Sequence, residues 1–128
     1  MTTINLNNTV FGVPLTAIEG DMLNISFSVK DQNGNPFCFT GSTNYINFPS
    51  ARLIVKTNET PSTTACTFTT STGNTYYINN AQRNVGVFVL QTPALNIANG
   101  NYYYVFQVYN STNIQTIFNG KFDVLKIV

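Results

Sequence analysis

The sequence predicts an all-β protein, a two-sheet sandwich of seven to eight short antiparallel strands. Three observations predict it. Apolar and polar residues alternate at period two, turn-forming clusters recur at roughly ten-residue spacing, and no stretch carries a helical period.

The chain centres on Gly100 to Tyr109, reading GNYYYVFQVY. Alternation puts Tyr102, Tyr104, Phe106 and Val108 on one face, with Tyr103, Val105, Gln107 and Tyr109 on the other. The first set is large and apolar, as an inner face requires. The second carries phenols and an amide that suit water or a neighbouring subunit. Tyr102, two residues past a turn glycine, is similar in placement to the tyrosine corner of Greek-key sandwiches.

Residues 1–12 read as an N-terminal arm or edge strand, with Ile4, Leu6, Val10 and Phe11 as its apolar positions, and residues 13–128 as the sandwich. Pro14 holds Val13 extended, and Leu15 to Ile18 forms a short strand. After a Gly20-Asp21 turn comes the clearest alternation, with Leu23, Ile25, Phe27 and Val29 inward and Asn24, Ser26, Ser28 and Lys30 outward. The cluster Asp31 to Pro36 ends it as a turn; a calcium loop would need a glutamate where Ser42 stands.

Residues 37–50 form a longer connection. Ala51 to Lys56 is a strand with Ala51, Leu53 and Val55 on the core side, and Asn58 to Thr63 breaks it, helped by Pro61. Thr64 to Ser71 carries Cys66 and Phe68 on one face, and Tyr76 to Ile78 is short and apolar. In Asn84 to Leu90 the inward pair is either Phe88 and Leu90 or Val87 and Val89. Leu95 and Ile97 tuck under the central strand, and two segments, Ile114 to Phe118 and Lys121 to Ile127, close the sheet.

Composition excludes several kinds of function. Hydrophobic residues make up 43% of the 128 residues, enough for a core. Charged residues are only 9%, so little repulsion keeps copies apart, which suits life in an assembly; an AT-rich coding sequence would also enrich Asn and Ile. The six basic residues are scattered and the net charge is +1, so the electrostatic footprint of nucleic-acid binding is missing. With no histidine, the commonest general base and metal ligand are absent. Cys38 and Cys66 are too few for a zinc site and read as small buried hydrophobes rather than a bridge. No run is long enough to span a bilayer, and the N-terminus lacks the basic and apolar regions of a secretory signal. Synthesis in the cytoplasm and no membrane partner are therefore expected.

Glu19 and Asp21 flank a turn glycine without a partner base, which reads as a solvated turn rather than an acid–base pair. The sequons at Asn7, Asn24, Asn58 and Asn110 are what chance gives in a chain rich in Asn and Thr. The tyrosines Tyr76-Tyr77, Tyr103 and Tyr109 fit core packing or a protein interface better than a platform for sugar or nucleic acid.

One ordered set of motifs goes further. It comprises Gly20-Asp21, then Asp31, Gly34 and Pro36, then Ala51-Leu53-Val55, then Leu95 with Gly100-Tyr102-Tyr104, and last Gly120-Phe122-Val124. In order and spacing it resembles the immunoglobulin-like domain at the N-terminus of tailed-phage baseplate upper proteins and related virion proteins. The resemblance implies an immunoglobulin-like β-sandwich and a non-enzymatic bacteriophage structural protein located in the virion. Such a protein contacts other virion proteins, capsid, tail or fibre subunits, in a symmetric assembly. It would serve as a capsid decoration protein or as a fibre or baseplate adapter. No catalytic residue, cofactor or metal is expected. The expected interface residues are Ile4, Leu6, Val10 and Phe11 in the arm and Tyr77, Tyr103 and Tyr109 on the body. The alternative is a receptor- or carbohydrate-binding module using the same tyrosines.

Overall fold

The computed structural model describes residues 2–6, 14–31, 50–57, 63–71, 75–82 and 86–126. They are all-β. The strands are β1 (Thr2–Leu6), β2 (Leu15–Ile18), β3 (Leu23–Asp31), β4 (Ser50–Lys56), β5 (Thr64–Thr69), β6 (Tyr77–Gln82), β7 (Val87–Thr92), β8 (Gly100–Tyr109) and β9 (Ile114–Leu125). Their order across the sheet is β1-β3-β7-β6-β5-β4-β8-β9-β2, and the sheet curls nearly closed into a barrel.

Two expectations need correction. Pairing is not uniformly antiparallel: β1 runs parallel to β3, β2 parallel to β9, and β5 meets β6 in a single parallel pair, Thr69↔Tyr77. The reason is the path of the chain, which places the consecutive strands β1 and β2 on opposite edges of the sheet rather than in a hairpin. The two closing segments are also one strand, β9, twelve residues long. Gly120 does not break it because it lies opposite Tyr104, inside the longest ladder of the sheet.

Inside, the period-two pattern decides what is buried. Leu53, Val55, Phe68, Phe106, Phe122, Ile78 and Leu90 are sealed from solvent, and Phe88 with Leu90 is the inward pair of β7. Phe27 sits among aromatic rings: it stacks on Phe88 at 5.6 Å and meets Phe106 and Phe118 edge-on at 5.1 and 5.2 Å. Two positions depart from strict alternation. Ser28, expected outward, is buried between its partners on β1 and β7. Ile117 and Phe118 are both buried, because the ladder of β8 and β9 slips by one residue after Phe106 and leaves Ile117 as a bulge.

The loop before β8 is fastened from three sides. Gly20 N–H donates to Leu95 O at 3.0 Å and Leu95 N–H to Asp21 O at 2.8 Å, a reciprocal backbone pair. The turn needs glycine at position 20, where φ is +85°. The Glu19 carboxylate accepts from Asn99 N–H at 2.6 Å, so this turn acid is a structural anchor. Leu95 and Ile97 are buried, as expected. Tyr102 O–H donates to Ala98 O at 2.7 Å, the geometry of a tyrosine corner. Replacing Tyr102 by Phe keeps the ring and removes only this bond. Urea denaturation should show a loss of about 1 kcal/mol with an unchanged slope.

Cys66, half-buried on β5, is a free thiol. Burial pushes it from 9.0 up to about 12, and burial pushes the Tyr104 phenol up as well. Above pH ~9 the unfolded chain releases a thiol proton that the folded chain retains. Stability is therefore full below about pH 9 and falls as pH rises towards about 12. Thermal unfolding across that range should show a falling midpoint, and a smaller fall for Cys66→Ala.

Candidate functional site

Strand β8 presents its second face outward, flanked by β4 and β9. Strand registers align these side chains in rows. Thr69 lies opposite Arg52, Arg52 opposite Gln107, and Gln107 opposite Thr116. Next come Thr67, Ile54, Val105 and Asn119, and then Lys56, Tyr103 and Lys121.

The first row is held rigid by its own hydrogen bonds. Arg52 Nε donates to Gln107 Oε1 at 2.8 Å, and Gln107 Nε2 donates to Thr116 Oγ1 at 3.2 Å. The Arg52 guanidinium also lies 5.1 Å from the centre of the Tyr109 ring, a cation–π contact. Held on two sides, Arg52 has lost much of its rotamer freedom before any partner arrives, so less entropy is lost on binding. Ile54 and Val105 form the half-buried apolar centre, and Tyr103 stands between two lysines. Among the described residues, three cations, Arg52, Lys56 and Lys121, share this outer face with one carboxylate, Asp123.

The expected interface residues fall in three places. Tyr103 and Tyr109 share this face, half-buried, near the two ends of β8. Tyr77 lies on the outer side of β6 and reaches the same belt of residues only through its pair with Thr69. Ile4 and Leu6 belong to edge strand β1, paired with Val29 and Asp31 of the same chain. Val10 and Phe11 lie outside the described residues, as does Cys38.

Sequence reading missed Arg52, Ile54, Lys56, Gln107 and Lys121 as members of one surface. Alternation alone marks them as outward, but only the strand register shows which of them are neighbours.

Among the described residues, no group of three or more His, Cys, Asp or Glu side chains is arranged to hold a metal, and no buried side-chain polar atom lacks a hydrogen bond. The face combines an apolar centre, two tyrosines, a hydrogen-bonded arginine and a cationic rim, the residue types that contact surfaces favour. In comparisons with known proteins, no family model matches the chain and no curated protein matches it.

Proposed function

We propose that this chain is a non-enzymatic structural module of a bacteriophage particle, an immunoglobulin-like domain that binds other virion proteins through the outer face of β4, β8 and β9. The contact face carries the proposal. Tyrosine and arginine are the residues on which interfaces concentrate binding energy, and here they surround an apolar patch. The virion setting rests on the ordered motifs that resemble phage immunoglobulin-like domains.

The strand order supports the immunoglobulin-like reading. Divided at its single-pair joint, Thr69↔Tyr77, the strand order becomes β1-β3-β7-β6 and β5-β4-β8-β9-β2, the grouping expected of a Greek-key sandwich with short strands at its edges. The Tyr102 corner supports it too. The charge of the face calls for a partner surface with an apolar centre and carboxylates around it.

Tag labelling of whole particles followed by cryo-EM tests the proposal. Density repeating over the head would make the protein a decoration or head-fibre element, and density confined to the tail an adapter. Absence from particles would overturn the reading. A truncate lacking residues 1–12 also removes edge strand β1, which pairs with β3 of the same chain, so thermal unfolding is its control: a truncate that stays folded yet loses occupancy places this segment in the contact with a neighbour. Full occupancy would remove the arm from the mechanism.

A further inference from the structure

We propose that the groove beside Tyr77, on the outer side of β3, β7 and β6, binds a neutral saccharide. The concavity has a volume of about 200 Å³. Asn24 lies opposite Gln91, and Gln91 lies opposite Tyr77, so two primary amides and a phenol stand side by side across three strands. Adjacent strands are ~4.8 Å apart, so the three positions span about the width of one or two sugar rings. Thr75 adds a hydroxyl, and Met22 and Pro93 add apolar walls.

The state of these polar groups distinguishes this groove from the Arg52–Gln107–Thr116 row. Arg52, Gln107 and Thr116 bond to one another. By contrast, the side chains of Asn24, Thr75, Tyr77 and Gln91 make no hydrogen bond among the described residues. A primary amide both donates and accepts, which matches a sugar hydroxyl that does the same. The tyrosine ring offers a flat apolar surface to the C–H face of a pyranose. Among the described residues no charged side chain lines the groove, so none of them would pair with a phosphate or carboxylate. An uncharged, hydroxyl-rich ligand is what this chemistry selects. The site stands whether or not the chain is part of a particle.

The test is a titration of the isotope-labelled full chain, followed by NMR. The probes are glucose, galactose, N-acetylglucosamine and their linear trimers, at millimolar concentrations. At least one series should shift the side-chain amides of Asn24 and Gln91 together with the Tyr77 signals. Tyr77→Ala should weaken that response ~tenfold, whereas Tyr77→Phe, which keeps the ring, should stay within about threefold. Tyr103→Ala should change nothing. If Tyr77→Ala fails to fold, Asn24→Ala at its exposed position takes its place with the same expected direction. A trimer that binds more tightly than its monomer identifies a polymeric glycan as the ligand. Equal binding identifies a free sugar, and either result upholds the site. No shift with any probe, or a shift that survives both alanine substitutions, overturns it.

Discussion

Replacing Phe106 by Ala is expected to lower the unfolding free energy by about 3–5 kcal/mol. A domain of this kind has only ~5–15 kcal/mol in total, so the variant should be partly unfolded near physiological temperature. The size of the effect follows from where the ring sits. Phe106 has no exposed surface and, among the described residues, contacts three other rings, with centroids 5.1 Å to Phe27, 5.3 Å to Phe88 and 4.9 Å to Phe118. Those rings come from β3, β7 and β9, so β8 is the strand through which both halves of the sheet close on the core. Truncation removes the buried area and leaves a cavity that four strands cannot easily close around. Met22→Ala is the control. Met22 is 76% exposed, and its loss should move stability by less than ~0.5 kcal/mol. Chemical denaturation of the two variants measures the contrast. Equal effects would mean that the aromatic cluster is not the centre of the fold.

How much of this was legible in advance depends on which physical rule governs each residue. Burial of Leu53, Val55, Phe106 and Val108 follows from alternation alone, because a strand has only two faces and one of them was uniformly apolar. The Tyr102 corner was legible because a turn glycine and a tyrosine at fixed spacing encode it locally. Ile117 was not legible. A bulge depends on how two strands pair, and nothing in Ile114 to Phe118 announces that one residue will be left over. The parallel edge strands were hidden for a similar reason, since β1 and β2 pair with strands far away in sequence. The candidate face lay between these cases. Tyr103 and Tyr109 could be picked out one by one, but the Arg52–Gln107–Thr116 ladder joins residues 55 and 9 positions apart, which only the register brings together. Tyr77 was grouped with them by residue type, yet the sheet turns it towards a different groove.

That separation allows a test of the contact face by itself. Val105→Glu is expected to leave the free protein folded and to abolish its incorporation into particles. Val105 lies on the outer side of β8, half-buried beside Ile54, so a glutamate there can still reach water in the isolated chain. Stability should change by about 1 kcal/mol or less, the cost of trading a β-branched residue for a poorer strand former. Once a partner covers the face, the same carboxylate is desolvated in the apolar centre and draws Arg52, Lys56 and Lys121 of the neighbouring rows away from the partner's carboxylates. Desolvating that charge and losing those cross-interface pairs costs several kcal/mol, so affinity should fall by a factor of about a hundred or more. Tyr103→Ala should act in the same direction through lost contact area, by about 2 kcal/mol if the ring is one of the anchors. Tyr77→Ala should leave incorporation intact, because its side chain belongs to the groove on β6. Quantitative mass spectrometry of purified particles reads all three, with thermal unfolding of each free protein as the control for folding. Particles that carry Val105→Glu at full occupancy would show that the outer face of β8 stays in solvent. Loss of incorporation with Tyr77→Ala alone would move the protein contact to the opposite half of the sheet.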